Sequence, residues 1–364
     1  MRYTLLSRED HMSKEKTMKL RKSVAPYSYP NHKKSIFQLL NTIVPLFFLW
    51  FFAYQSLSVS IWLAVAFSLI ASGFVVRTFI IFHDCTHGSF FHHKKKNDLI
   101  GTITGVLTLF PYEKWKREHA IHHASSSNLD RRGIGDIWVM TVEEYANASK
   151  WRRFAYRLYR NPFIIFGLGP LYLVLVSNRI NRKDARKKER NNTYITNIAI
   201  VLIYGLLVFL VGWQAFLIVH GVTMYVAAVL GIWLFYIQHT FEDSYFEEES
   251  EWNYVKAAVE GSSYYQLPRI LQWLTGNIGY HHVHHLAPRV PNYNLENAHE
   301  STPPLQHATT ITIKTSLDSL KYRLYDPKTK SFVTFKKAKH LFSQPQEKID
   351  LPELKPKSTS IEGK

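Results

Sequence analysis

The sequence predicts an all-α integral membrane protein made of two transmembrane helical hairpins, with a helical cap on the cytosolic side. Two blocks free of Asp, Glu, Lys and Arg, residues 35–76 and 191–241, are the first observation. The second is the clustering of Lys and Arg beside these blocks, and the third is a set of histidine motifs at helical spacing, the first of which follows the first block. One span needs ~20 apolar residues, so each block holds about two spans.

Four spans follow from the polar turns inside the two blocks. They are predicted at about 35–56, 60–82, 193–212 and 216–239. The cytosolic cap then comprises residues 83–192 and 240–342, and with the spans it forms one membrane domain over 35–342. A soluble helical protein would interrupt such blocks with charges on an outer face.

Two shorter apolar segments set the upper limit of the span count at six. Leu99–Pro111 has only thirteen residues, and Pro162–Ser177 is interrupted by two glycines and a proline. Both segments are expected to be interfacial or re-entrant. The first is too short to cross the bilayer, and the second is interrupted by residues that break a helix.

The net charge is +17, and many of the Lys and Arg residues lie beside the predicted spans, as expected for a membrane protein. The arm 1–34 carries nine Lys and Arg against three acids, and residues 178–192 carry seven against two. Such flanks mark the cytoplasmic side of a span. We therefore expect a multi-pass protein of the cell membrane with a cytoplasmic arm and cap. Nucleic acid is not an expected partner, since the aromatic residues lie in the spans.

The chain has one cysteine, Cys85. This excludes a disulfide framework, a thiolate iron–sulfur cluster and a Cys-based zinc site made by this chain alone. Electrons for any redox chemistry must therefore arrive from another protein. The segment 343–364, rich in Pro, Lys, Ser and Glu, is predicted to be disordered.

Histidine spacing gives the most specific functional signal. HDCTH starts at His83, and two H-x-x-H-H motifs, HAIHH and HHVHH, start at His119 and His281. Residues at i, i+3 and i+4 lie on one helical face, and imidazole binds Fe, Zn, Cu and Ni. Nine histidines are thus candidate ligands of two metals: His83, His87, His119, His122, His123, His239, His281, His284 and His285.

His239 stands outside the three motifs, and a polar helix end is an alternative explanation of it. Asp136, in GIGDIW, and Glu242, after the last span, are selected as carboxylates that accept the second N–H of a ligand imidazole. Isolated acids are more often surface residues or helix caps.

The three motifs resemble, in order and placement, the histidine boxes of membrane-bound fatty-acid desaturases. HDCTH resembles the acyl-lipid type of box, and FIIFHDC, HHASSSNLD and LTGNIGYHHVHHL are similar to the Bacillus acyl-lipid delta-5 desaturases. The resemblance covers roughly residues 35–310 and implies two Fe ions held by the nine histidines, with O2 as co-substrate. It also implies a cis double bond, at carbon 5, in saturated acyl chains of membrane phospholipids.

The electron donor implied by the resemblance is ferredoxin or flavodoxin, because no His-Pro-Gly-Gly motif of a fused cytochrome b5 is present. Phe235 also occupies a position where acyl-CoA desaturases have asparagine. Two alternatives stay open. One is a histidine-box di-iron hydroxylase of the alkane or carotenoid type. The other is a metal transporter, in which polar residues line a path at mid-membrane.

Overall fold

The computed structural model describes residue 15 and residues 17–343 of the chain. Within this part the chain is mainly helical, as predicted, and carries two sheets of two short strands each. The predicted basic arm 1–34 is described in part. The predicted disordered tail lies outside the described residues except for Ser343, which ends a helix.

Four helices are long and apolar enough to cross a membrane, which confirms the two predicted hairpins. The first to fourth spans are His32–Ser56, Ile61–His87, Lys187–Val211 and Trp213–His239. The fourth span contains a π-helical turn at Leu217–Gly221. Gly212, with φ +82°, allows the one-residue turn between the third and fourth spans.

A fifth crossing depends on one bent pair of helices. Lys150–Tyr159 and Ile164–Arg179 meet at 61°, so the pair is either one broken span or a re-entrant loop. The other short apolar segment lies in Lys94–Thr108, which is not among the candidate spans. The described residues thus contain four candidate spans, or five with the bent pair.

The second span is the centre of the membrane bundle. It packs against the first and fourth spans, and 56% of its most apolar window is buried. Only 6% of the corresponding window of the third span is buried, so that helix presents its side chains to lipid. The second span is thereby fixed on several sides, and its cytosolic end carries His83 and His87.

Short elements build the cap around the helix ends. The α-helices are Lys94–Thr108, Tyr112–Ser125, Val142–Asn147, Lys150–Tyr159, Gly169–Leu175, Tyr254–Val259, Arg269–Leu274, His281–Leu286, Leu295–Glu300, Ile313–Ser316 and Phe335–Ser343. Another π-helical turn spans Ile164–Leu168. The 3-10 helices are Ala25–Ser28, Ser177–Arg179, Asn292–Asn294, Pro303–His307 and Leu317–Leu320.

The strands are three residues each and tie the C-terminal region to the cap. β1 (Tyr264–Gln266) pairs in parallel with β2 (Thr310–Thr312), and β3 (Leu324–Asp326) pairs antiparallel with β4 (Ser331–Val333). The sequence does not predict them, because three residues give no readable alternation. The β1–β2 pair fixes the segment that leads to HHVHH.

Candidate metal centre

The cytosolic ends of two spans and two short cap helices carry the nine predicted ligands. HDCTH lies inside the last turn of the second span, and Gly88, with φ +66°, ends that helix one residue after His87. HAIHH lies on helix Tyr112–Ser125 and HHVHH on helix His281–Leu286. His239 is the last residue of the fourth span.

Five histidines form the first group, within which one ring nitrogen of each lies within 4.8 Å of the others. Its members are His83, His87, His119, His123 and His284. The Nε2 atoms of His83 and His119 are 3.0 Å apart, and those of His119 and His123 are also 3.0 Å apart. The His284 Nε2 lies 2.9 Å from that of His123.

Three histidines, His122, His239 and His285, form the core of the second group by the same criterion. His281 joins them, because its Nε2 lies 3.0 Å from that of His239 and 3.1 Å from that of His285. We include His281 in the second group hereafter. The structure therefore brings all nine predicted histidines together, five in one group and four in the other.

Electrostatics disfavour the protonated ring for part of the set of cap histidines. Burial, followed by repulsion from neighbouring imidazoles, holds the pKa of five of them well below the ordinary value. They are His119, His123, His281, His284 and His285. A metal ligand must be neutral imidazole, so the site favours the form that binds a metal.

The facing nitrogens fit two metal ions of the kind that imidazole binds. The Nε2 atoms of His87 and His122 are buried, and neither has a hydrogen-bond partner within the described residues. Unpartnered buried nitrogens are costly, and a metal is a partner that satisfies several of them at once. That each of the nine histidines is a ligand stays a prediction.

Asp136 is placed as the sequence predicts. Its Oδ1 lies 2.5 Å from the Nδ1 of His122, from which it accepts a hydrogen bond. This contact fixes the ring so that Nε2 faces the second group. It is the carboxylate–histidine arrangement that orients imidazole ligands and raises their basicity.

Glu242, in contrast, is a correction to the sequence analysis. Its side chain is exposed and accepts a hydrogen bond from the Tyr322 hydroxyl at 3.0 Å. The fourth span ends at His239, and the next residues turn away, so that Glu242 points out of the histidine cluster. It does not support a ligand ring.

Asp84 is the carboxylate that sequence reasoning did not select. Its Oδ1 lies 3.3 Å from the Nδ1 of His83, and its Oδ2 accepts hydrogen bonds from the backbone and side-chain N–H groups of Asn292 at 2.7 and 2.8 Å. Gln38 of the first span donates to Asn292 at 2.8 Å. Asp84 adjoins His83 in the sequence, but Asn292, which donates to its carboxylate, lies 208 residues further along the chain.

His239 is oriented by backbone rather than by a carboxylate. Its Nδ1 donates to the carbonyl oxygen of Gly261 at 3.1 Å. The Phe235 ring lies one turn earlier and contacts the rings of His122 and His239, with centroids 5.2 and 5.4 Å away. Phe235, which stands where acyl-CoA desaturases have asparagine, thus covers one side of the second group.

Two histidines outside the groups have ordinary partners. The Nε2 of His282 lies 3.0 Å from the Nδ1 of His299, so His282 points away from both groups. His220, within the fourth span, lies 2.8 Å from the Tyr54 hydroxyl and stacks on Trp50. Neither adds a ligand, in agreement with their omission from the predicted set.

Comparison with known proteins gives the family. The family model for "Fatty acid desaturase" matches residues 60–313, well over half of the chain. A "Fatty acid desaturase" of Bacillus subtilis (strain 168) is 59% identical over 326 residues, which cover 90% of this chain and 93% of that protein.

More distant relatives carry more specific names. The chloroplastic "Omega-6 fatty acid desaturase" of Arabidopsis thaliana is 31% identical over 61% of this chain, and the match spans about half (49%) of that protein. The "sn-1 oleoyl-lipid 12-desaturase" of Synechocystis is 28% identical over 61% of this chain and 63% of its own length. With its four candidate spans and paired histidine groups, the chain belongs to the fatty acid desaturase family and is an oxidoreductase.

Proposed function

We propose that the protein introduces a cis double bond at carbon 5 of saturated acyl chains esterified in membrane phospholipids. The reaction uses O2, two Fe ions and electrons from ferredoxin or flavodoxin. The observation that carries the proposal is the convergence of nine histidines into groups of five and four, at the level where two spans leave the bilayer.

The two groups supply the ligand set that the proposal needs. A bound iron pair supplies the reduction of O2 that removal of hydrogen from an unactivated methylene requires. The histidines would hold the ions by ring nitrogens, and Asp136 and Asp84 contact the rings of His122 and His83. Zinc binds such donors equally well but has no redox chemistry, so desaturation favours iron.

The substrate class is supported by the names of relatives and by the membrane setting. Two Synechocystis relatives are named for acyl-lipid substrates, an "sn-1 oleoyl-lipid 12-desaturase" and an "sn-1 acyl-lipid omega-3 desaturase (ferredoxin)". The second name also supports a ferredoxin donor. The lipid-facing helices let an acyl chain approach from the bilayer while the donor approaches from the cytosol.

Cytoplasmic placement of both groups is part of the proposal. The basic segments 1–34 and 178–192 adjoin the spans on the same side as the histidines, as the positive-inside rule requires. Cysteines at exposed Ser58, in the first hairpin turn, and exposed Glu143, in the cap, test it. In intact cells an impermeant thiol reagent should label the first and spare the second. Buried Cys85 makes the unmodified chain the blank, and labelling at position 143 contradicts the topology.

The alternatives differ from the proposal in their product. A di-iron hydroxylase leaves oxygen in the acyl chain, and a metal transporter leaves the lipids unchanged. The relatives named above are desaturases, which favours the double bond. Expression in a host that lacks this unsaturation, with and without O2, followed by mass spectrometry of the fatty acids, decides. A double bond elsewhere refutes only the delta-5 position, whereas a hydroxylated chain refutes desaturation.

A further inference from the structure

An open pocket of about 510 Å³ lies where the cap meets the third span. Its wall is formed by residues from Arg179, at the end of a 3-10 helix, to Arg190, in the first turn of the span, together with Tyr194. None of the nine histidines lines it. Sites for small molecules typically measure about 300–1,000 Å³, so this pocket has room for a group the size of a lipid headgroup.

Four cations line this pocket, which we call the basic pocket, and none of its described lining residues is an acid. They are Arg179, Arg182, Lys183 and Arg190. Arg182 is paired with Asp184 at 3.1 Å, whereas the other three have no carboxylate partner among the described residues. Glu189, the other acid of this segment, is paired with cations outside the lining, Arg117 and Arg186. The pocket therefore holds uncompensated positive charge.

Neutral oxygens fix the two arginines that have no carboxylate partner. The Arg190 Nε donates to the Ala185 carbonyl at 3.0 Å, and its Nη2 donates to the Lys183 carbonyl at 2.9 Å. The Arg179 Nη1 donates to the Asn197 Oδ1 at 2.7 Å. Each guanidinium has five N–H groups, so unused donors remain on both. A fixed guanidinium with its charge uncompensated suits a phosphate, which it binds through two parallel hydrogen bonds.

The position of the basic pocket favours a ligand that arrives with the membrane. Tyr194 lies two turns into the third span, whose apolar window is only 6% buried and therefore faces lipid. Tyrosine is enriched at the membrane–water interface. Tyr194 is 56% exposed, and Ile180, on the same wall, is 62% exposed. This apolar rim favours a lipid over a soluble acidic protein, because the rim of a protein interface is polar.

The basic pocket is joined to the helix that carries HAIHH. Lys114 of helix Tyr112–Ser125 donates to the carbonyls of Ser177 and Ile180, the latter at 3.0 Å. Arg117 of the same helix is paired with Asp184 at 2.8 Å. An anion in the pocket relieves the repulsion among its cations. It thereby stabilises the segment that holds this helix in place.

We propose that the basic pocket binds the phosphate of a phospholipid with net negative charge, and that the bound lipid stabilises the folded cap. This inference does not depend on which reaction the metal centre performs. Each Lys or Arg near a membrane surface strengthens the attraction to anionic lipid about fivefold at low salt. Lys183 and Arg190 are the exposed cations of the pocket without a carboxylate partner among the described residues, so they decide the affinity.

The test measures lipid retention by the full-length protein, purified in uncharged detergent. Mixed micelles supply phosphatidylglycerol or phosphatidylcholine, and inorganic phosphate is the third probe. Retained lipid is quantified by mass spectrometry after affinity isolation, and the melting temperature is followed in parallel. The variants are Lys183→Gln and the double variant Lys183→Gln/Arg190→Gln. The matched control is Lys94→Gln/Lys95→Gln, which removes two exposed cations elsewhere on the cap.

We expect wild type and the control to retain phosphatidylglycerol in preference to phosphatidylcholine and to melt at a higher temperature with it. Affinity for phosphatidylglycerol should fall about fivefold in the single variant and about 20-fold in the double variant. Lys183→Gln keeps the inference testable if the double variant does not fold, because the Lys183 side chain has no partner among the described residues.

Retention by the folded variants equal to that of the control overturns the inference. Equal stabilisation by inorganic phosphate and phosphatidylglycerol indicates a free-phosphate site and also overturns it. Loss of binding to an acidic ferredoxin without any loss of lipid would assign the pocket to a protein partner instead. None of these outcomes changes the acyl product, so failure of this inference is distinct from failure of the proposed function.

Discussion

Two helices each contribute rings to both histidine groups, but the two groups have different surroundings. On helix Tyr112–Ser125 the i, i+4 pair His119 and His123 belongs to the first group and His122 to the second. On helix His281–Leu286 the assignment is reversed. There the i, i+4 pair joins the second group, while His284 joins the first. Each H-x-x-H-H motif therefore gives two rings to one group and one to the other.

The difference lies in what surrounds the rings. In the first group the Trp115 indole stacks on His119 with centroids 4.1 Å apart, and Asp84 ties His83 to the first span through Asn292 and Gln38. The second group adjoins a small cavity instead. The first group is thus tied to the first span by hydrogen bonds, whereas the second lies beside that cavity.

Removing one ring from each group gives the largest expected effect. We predict near-complete loss of desaturation in His123→Ala and in His285→Ala, because each takes a nitrogen from one group. Iron content should fall from two toward one per chain in both, measured by elemental analysis of purified protein. Exposed His92→Ala is the control and should match wild type. Full activity in either group variant contradicts the assignment of ligands.

Replacing Asp136 or Asp84 by asparagine tests how each histidine group is supported by its neighbouring carboxylate. Asp136→Asn replaces the charged acceptor of the His122 N–H by a neutral amide oxygen, and we expect a loss of about 10–100-fold in activity or metal affinity. In Asp84→Asn the first group should lose metal while the second retains it, and folding should also weaken, because Asn292 loses its carboxylate partner. Metal titration measures the loss of metal, and thermal unfolding in detergent measures the loss of stability. Equal metal affinity in Asp136→Asn and wild type contradicts the proposed support.

A methyl group at Gly261 should perturb the second group alone. Its Cβ would lie 2.3 Å from Ser127 Oγ and 2.5 Å from the Ala257 carbonyl, so the backbone beside His239 must shift. We expect Gly261→Ala to lower the free energy of unfolding by about 1–3 kcal/mol and to reduce metal binding by the second group. Gly231→Ala, on the fourth span with open space around it, is the control. Indistinguishable melting temperatures contradict the contact.

Much of this site can be predicted from the sequence because it depends on local spacing. Two uncharged blocks indicate the hairpins, and H-x-x-H-H fixes which rings share a helical face. The nine histidines meet as the sequence predicts, and Asp136 contacts His122. The spacing of the histidines does not predict which ring of a motif joins which group, because that depends on how the helices pack.

The remaining features depend on contacts between distant segments. The sequence does not single out Asp84, because its partner Asn292 comes from a distant part of the chain and is itself bonded by Gln38 of the first span. Glu242 was selected for its nearness to His239 in sequence, but the chain turns outward after the span.

The smallest expected effect, counted for one ring and one pH unit, is the response of stability to pH. In the unfolded chain the five cap rings have the ordinary pKa of about 6.5 and take up protons below it. In the folded chain their lowered pKa keeps them neutral. The unfolded state then binds more protons, so the free energy of unfolding is level above about pH 7.5 and falls as the pH drops through 6.5.

Each ring contributes up to about 1.4 kcal/mol per pH unit below 6.5. The measurement is thermal unfolding of metal-free protein in detergent between pH 8 and pH 5, with chelator present so that metal release does not contribute. The first group holds three of the five rings and the second holds two. His123→Ala and His285→Ala should each reduce the slope by one ring's share, because both rings are buried and neutral alike. A slope unchanged by either variant would show that the ring already carries its proton in the folded, metal-free chain, and would contradict its lowered pKa.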